Sequence, residues 1–258
     1  MINDLPLNNF KRGLKAGTPQ VGLWLSMTSP VATEIVAGAG FDWVLIDMEH
    51  SANDLADVVH HMRACVGGTA EPVVRVPWNE PVLVKRLLDA GARTLLFPFV
   101  QSAEEAKRAV EATRYPPQGI RGVAGTTRAN RYGRVQNYHA RAHEEICILV
   151  QTETRKSLAA IEDIAKLDGI DGIFIGPADL SADFGHLGNL QHPEVHKAIL
   201  DAGARIKKAG KAAGYLSARD DEIRMTLDAG FGFVAVGSDV GILARQSEAL
   251  VRTYKGTK

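Results

Sequence analysis

The stretch FDWVLIDMEH, residues 41–50, opens as a continuous apolar run and closes on three ionisable side chains, Asp47, Glu49 and His50. The apolar half is what a strand covered on both faces of a parallel sheet requires. A buried strand that ends in Asp-Met-Glu-His carries titratable groups to one end of a sheet, where α/β proteins place their chemistry.

Working outward, seven more segments rich in Val, Ile, Leu and Phe read as buried strands: 20–26, 72–76, 94–100, 146–153, 172–176, 214–217 and 231–237. Helical patterns separate them. Ser29-Pro30 reads as an N-cap with proline in the first turn, before a helix that runs to the glycines at 38–40. Asn79 is expected to cap the next helix, PVLVKRLLDAG, which stops at Gly91. VAGAGFDWVLID, LLDAGARTLLFPF, KLDGIDGIFIG and TLDAGFGFVAVG repeat one grammar of helix end, glycine, short loop and apolar strand. Strands alternating with helices imply right-handed parallel crossovers. Eight such units predict an α/β (β/α)8 TIM barrel as a single domain over 1–258. An open doubly wound sheet is the rival, weakened by the missing GxGxxG after the first strand.

Composition narrows the function. Lys plus Arg and Asp plus Glu are 30 each, a formal net charge of zero, so no basic field points to nucleic acid. Cys65 and Cys147 lie in apolar surroundings and read as reduced core thiols. The N-terminal segment lacks the apolar core of a signal peptide, and no apolar run approaches the roughly 20 residues of a membrane span. A cytoplasmic protein without membrane partners is expected. Residues 115–145 break the rhythm with Pro116-Pro117, Gly119, Gly122, Gly125 and five arginines, Arg121, Arg128, Arg131, Arg134 and Arg141. This insertion is expected on the barrel face away from the chemistry, as a solvated excursion packed on a neighbouring subunit.

In a barrel the strand ends converge on one mouth. They carry Trp24 and Ser26, then Asp47, Glu49 and His50, then Arg75, then Gln151 and Glu153, then Asp179, then Ser238 and Asp239. No lysine falls at a strand end, and Lys156 lies beyond one, which argues against Schiff-base chemistry. There is no HxH pair of the kind a barrel zinc hydrolase uses. Glu153 and Asp179 suit a hard divalent ion such as Mg²⁺ or Mn²⁺, with positions left for a 2-oxo acid. Arg75 suits stabilisation of a developing oxyanion, or a buried pair with Asp47 or Glu153. His50 suits proton transfer, with Asp47 as its orienter or as partner of a metal-bound water. Glu49 drops out of the metal site on this reading.

Taken in order, GLWLSMTSP, AGAGFDWVLIDMEH, EPVVRVPWNEP, RYPPQGIRGV, LVQTET, FIGPADLSADFG, QHPEV and FVAVGSD resemble the HpcH/HpaI aldolases across nearly the whole chain. The resemblance implies a barrel whose C-terminal helix is exchanged between subunits of a homohexamer. It implies a class II pyruvate aldolase using Mg²⁺, Mn²⁺ or Co²⁺. Such an enzyme cleaves 4-hydroxy-2-oxo acids to pyruvate and an aldehyde through a pyruvate enolate, in aromatic or sugar acid catabolism. A malyl-CoA or citryl-CoA type lyase is the alternative, with residues 121–141 as a source of phosphate contacts. By the resemblance Glu153 and Asp179 are the metal ligands, and Gln151, Ala178 and Asp179 contact the pyruvyl group. His50 is the acid/base, Arg75 the transition-state stabiliser, and Asp89 a carboxylate that raises the basicity of the histidine. Trp24, at the end of the first strand, is read as substrate-binding. Asp89 sits at a helix end, on the wrong side of its own barrel, so a role implies the histidine of a neighbouring subunit. Met48 stands where some relatives have glycine.

Overall fold

The computed structural model describes residues 4–256; the first three and last two residues of the expected 1–258 domain lie outside the described residues. All eight expected segments form strands: β1 (Gln20–Leu25), β2 (Trp43–Asp47), β3 (Glu71–Arg75), β4 (Thr94–Phe97), β5 (Cys147–Thr152), β6 (Gly172–Ile175), β7 (Ala212–Leu216) and β8 (Phe233–Ser238). They pair in parallel in chain order, and β8 returns to β1, so the sheet closes into a barrel. The helices are α1 (Asn9–Ala16), α2 (Pro30–Ala37), α3 (Leu55–Ala64), α4 (Pro81–Asp89), α5 (Ala103–Thr113), α6 (Tyr138–Glu145), α7 (Arg155–Ala159), α8 (Ile161–Ala165), α9 (Pro177–Asp183), α10 (Pro193–Lys208), α11 (Asp220–Asp228) and α12 (Asp239–Lys255). Ser29 caps α2 as expected. The cap of α4 is Glu80, which accepts from the Leu83 amide, and not Asn79. Asn79 instead donates to the Glu105 carbonyl and ties α4 to α5.

Side chains alternate across a strand, so a closed barrel sorts them into two cores. Val44, Ile46, Val74, Leu95, Phe97, Ile148, Val150, Ile173 and Ile175 face outward and are buried under the helices. Trp24, Trp43, Leu45, Val73, Leu96, Leu149, Phe174, Phe233 and Ala235 fill the interior. Phe10 of α1 plugs the lower end, tilted or edge-on to Trp43 and Phe233 with ring centroids 5.7 Å apart. Gly22 is required here, because a Cβ at that position would overlap the Trp43 indole.

The interior rows end in polar groups. Trp43 and Leu45 lead to Asp47, Val73 leads to Arg75, and Leu149 leads to Gln151 and Glu153. The apolar filling thus occupies the lower barrel and leaves the C-terminal mouth to charge.

The insertion 115–145 differs in part from the expectation. It does lie against the N-terminal ends of the strands, but it is not wholly solvated: several of its side chains are buried on its own chain. Arg121, Ala129, Asn130, Val135, Tyr138 and Ala142 are buried. Arg121 pairs with Asp89 at 2.7 Å, and its guanidinium lies over the Tyr115 ring at 4.5 Å. α12 is the opposite case. Of its 17 residues only Asp239 is buried. Ile242, Leu243, Leu250, Val251 and Tyr254 are all exposed by half or more.

Deleting a large buried ring leaves a cavity that a rigid barrel cannot close. Trp43→Ala is expected to lower unfolding stability by about 3–5 kcal/mol in a urea titration. A loss below about 1 kcal/mol would mean that the interior aromatic cluster does not hold the barrel.

Candidate active site

The register of β2 and β3 places Asp47 directly beside Arg75. Both are buried, and they form a bidentate pair. Arg75 Nε donates to Asp47 Oδ1 at 2.9 Å and Nη2 donates to Oδ2 at 2.6 Å. Asp47 also accepts from Trp24 Nε1 at 3.2 Å, and the Arg75 guanidinium lies 5.0 Å from the Trp24 ring. Trp24 is therefore a clamp on the ion pair, 4 % exposed, more than an open pocket wall. Burial acts to raise the Asp47 carboxyl. The hydrogen bonds and charge of Arg75, with the Glu49 amide and Trp24, outweigh that and hold it below the usual range.

Asp47 also shapes the turn that presents the next two residues. Its Oδ1 accepts from the amides of Glu49 at 3.0 Å and His50 at 3.3 Å. Its contact with His50 is through the backbone amide; its hydrogen bonds among the described residues do not include the His50 ring. The Asp47 carbonyl accepts from Ser51 Oγ and from Asn53 Nδ2. Behind Asn53 a buried chain continues to His61 Nε2 at 3.0 Å and from His61 Nδ1 to Thr33 Oγ1 at 2.6 Å. Sequence reading missed this buttress, because a histidine inside α3 gives no local signal.

Beyond the pair lie three carboxylates. Glu49 Oε2 approaches Arg75 Nη1 to 2.7 Å but without hydrogen-bond alignment, so this buried oxygen has no hydrogen-bond partner among the described residues. Glu153 is buried; its Oε1 accepts from the Phe99 amide at 2.8 Å and its Oε2 from Gln151 Nε2. Asp179 stands exposed in the first turn of α9, beside Ala178. Burial, then the charges of Asp47 and Asp179, lift Glu49 to about 7 against the pull of Arg75. Burial, with the charges of Asp179 and Glu49, lifts Glu153 to about 7 against its hydrogen bonds from Gln151 and Phe99. Mutual repulsion of this kind identifies the three as one cluster.

The cluster fits a hard divalent cation. The donors are carboxylate oxygens, and Gln151 Oε1 is also buried without a hydrogen-bond partner among the described residues. Gly176 leaves the floor open, since a Cβ there would overlap Glu153 Oε2. Phe99 takes the left-handed conformation, φ 52°, to point its amide at Glu153. Glu49, which the sequence reading left out of the metal site, lies beside Arg75 and within reach of the charge of Asp179. Gly176 and Phe99 were not anticipated at all, because their roles lie in backbone geometry.

His50 is exposed at the rim, with its Nε2 3.9 Å from Glu49 Oε2. Asp89 is not brought to it in this chain. Asp89 ends α4, the helix that leads into β4 at the opposite end of the barrel, where Arg121 holds it. Ser238 caps α12, and Asp239 accepts from the Ser26 and Met27 amides, so both serve the fold. Lys156 is exposed in α7, and no lysine among the described residues is buried. Cys65 and Cys147 are buried and free, and burial pushes the Cys65 thiol up to about 12. Two clefts, of about 580 and 910 Å³, open near the insertion and the N-terminal strand ends, away from the carboxylates. Volume alone does not mark the chemistry here.

Residues 20–245 match the HpcH/HpaI aldolase/citrate lyase family. A 4-hydroxy-2-oxo-heptane-1,7-dioate aldolase of Klebsiella pneumoniae is 53 % identical over 248 residues, 96 % of this chain and 94 % of that protein. A pyruvate aldolase of Rhizobium etli is 52 % identical over 251 residues, 97 % of this chain and 99 % of that protein. The crystal structure of an aldolase/citrate lyase family protein from Burkholderia cenocepacia superposes with a TM-score of 0.93 at 42 % identity, covering 96 % of this chain and 99 % of that one.

The raised carboxyls set a pH dependence. Between the ordinary 4.5 and about 7 the folded metal-free protein keeps protons that the unfolded chain releases. Their stability contribution is thus complete below about pH 4.5 and is lost as pH rises through about 7. The thermal midpoint of chelator-treated protein is expected to fall between about pH 5.5 and about pH 8. Glu49→Gln should flatten that fall; an equal fall in both proteins would show that Glu49 ionises freely.

Proposed function

The chain belongs to the HpcH/HpaI aldolase/citrate lyase family, and on that premise we propose that it is a class II pyruvate aldolase, a carbon–carbon lyase acting on 4-hydroxy-2-oxo acids. The observation that carries the reading is the bidentate hold of Asp47 on Arg75, which leaves Nη1 directed at the carboxylate cluster. A guanidinium fixed in this way is preorganised to meet negative charge that develops on a substrate oxygen.

Glu153 and Asp179 would hold the divalent ion, which when bound supplies Lewis-acid polarisation of the keto oxygen. Gln151, Ala178 and Asp179 would receive the pyruvyl end. His50 takes the C4 hydroxyl proton. The C3–C4 bond then breaks, its electron pair passes to C3, and the aldehyde leaves. Arg75 donates to the enolate oxygen while C3 takes up a proton to give pyruvate. Mg²⁺, Mn²⁺ and Co²⁺ all suit the oxygen donors. Asp89 enters the reading only across a subunit boundary, toward a neighbour's His50. The exposed stacked pair of Trp78 and Phe99, 6.1 Å apart, stands beside Glu153 and offers an apolar wall to the aldehyde.

A CoA-ester lyase would need cations at the same mouth. The arginines of the insertion lie at the other end of the barrel, and Arg121 is buried against Asp89, which disfavours that alternative. The uncovered apolar side chains of α12 support an exchange of this helix with a second copy, within a homohexamer. We place the enzyme in the cytoplasm, where buried free thiols persist. No helix among the described residues is long and apolar enough to cross a membrane.

Chelation is expected to abolish cleavage of 4-hydroxy-2-oxo acids, and Mg²⁺, Mn²⁺ or Co²⁺ to restore it. Arg75→Ala should slow exchange of pyruvate methyl protons with D₂O by roughly 100-fold or more. Wild-type exchange in that variant removes Arg75 from the enolate step. Replacing Leu243, Leu250 and Tyr254 of α12 by serine should shift the protein to a smaller species in light scattering. An unchanged mass would show that α12 does not join subunits.

A further inference from the structure

Outside the carboxylate cluster, one group of three side chains among the described residues brings its donor atoms to metal-ligand spacing. His186, His192 and Glu194 each offer a donor atom, and these atoms all lie within 4.8 Å of one another. His186 follows α9, His192 caps α10, and Glu194 lies in the first turn of α10. His186 Nε2 pairs with Glu194 Oε2 at 2.9 Å. The two imidazoles stack with centroids 3.4 Å apart and planes 17° from parallel. The His186–Glu194 bond accounts for one ring and leaves the second pressed on its face. His192 Nδ1 has only a long bond, 3.3 Å, from the Glu194 amide. The nearby cation Arg155 is already engaged by Asp183 and by the ring of Phe184.

We propose that His186, His192 and Glu194 form a second metal site, which takes Zn²⁺ or another borderline transition ion and is separate from the carboxylate cluster. Two imidazoles and one carboxylate are the donor set of a three-ligand zinc site with a position left for water. Imidazole ranks Zn²⁺ and its neighbours above Mg²⁺, whereas the carboxylate cluster has only oxygen donors. One chain therefore sorts two metals by donor hardness. Parallel rings aim their lone pairs in parallel, so one ring must turn toward the ion. His186 is partly exposed and Glu194 exposed, which leaves room for that turn. The bound ion would clip the loop 184–192 to the start of α10, the loop that follows the helix bearing Asp179.

The site stands apart from the aldolase reading, and its test uses no activity. Chelator-treated protein saturated with Mg²⁺ would be titrated with Zn²⁺ by calorimetry, and with Co²⁺ by visible absorption. One equivalent of Zn²⁺ and ligand-field bands of nitrogen-bound Co²⁺ are expected. His186→Ala should weaken Zn²⁺ binding by at least about 10-fold and remove the bands. Glu194→Gln, at an exposed position, should weaken it in the same direction. The Glu153→Gln/Asp179→Asn double variant should keep the equivalent. Absence of Zn²⁺ binding in that double variant, or a titration unchanged by both His186→Ala and Glu194→Gln, overturns the proposal.

Discussion

A bidentate ion pair between Asp47 and Arg75, sealed between neighbouring strands under the Trp24 indole, is the constraint around which the mouth of this barrel is arranged. Removing one partner of such a pair leaves an uncompensated buried charge, at a cost of about 3–5 kcal/mol. The pair aims Arg75 and, through Asp47 Oδ1, sets the turn that carries Glu49 and His50. The Thr33–His61–Asn53 chain braces the same turn from behind. One carboxylate thus fixes three of the groups that matter.

The rest of the mouth is held against its own electrostatics. Burial and the neighbouring acid charges raise Glu49 and Glu153, and the guanidinium already belongs to Asp47. A fold that retains such crowding, with Gly176 and a left-handed Phe99 to permit it, is organised to receive positive charge. The apolar interior below, from Phe10 to Phe174, fills the barrel beneath the mouth.

The two ends of the barrel divide their tasks. The N-terminal end carries Phe10, the insertion and the Arg121–Asp89 pair, all turned to packing. The C-terminal end carries the acids. α12 belongs to neither, since its large apolar side chains stay about half exposed or more on their own barrel.

Much of this was legible in the chain. Eight apolar segments separated by helix signals fix a parallel barrel, because strands covered on both faces and joined by helices have few other solutions. The barrel rule then sends their last residues to one mouth, which is how Asp47, His50, Arg75, Gln151, Glu153 and Asp179 were found. Pairing inside that mouth was not legible. Whether Arg75 takes Asp47 or Glu153, and whether Glu49 faces in, depends on strand register, which tertiary packing sets. The Asn79 and Glu80 caps differ by one residue, a choice the local sequence leaves open. Sequence alone determined which chemical groups reach the barrel mouth, because strand periodicity is a local property. Only the tertiary structure decided which of them touch, because partners distant in sequence are joined by side-chain geometry across strands.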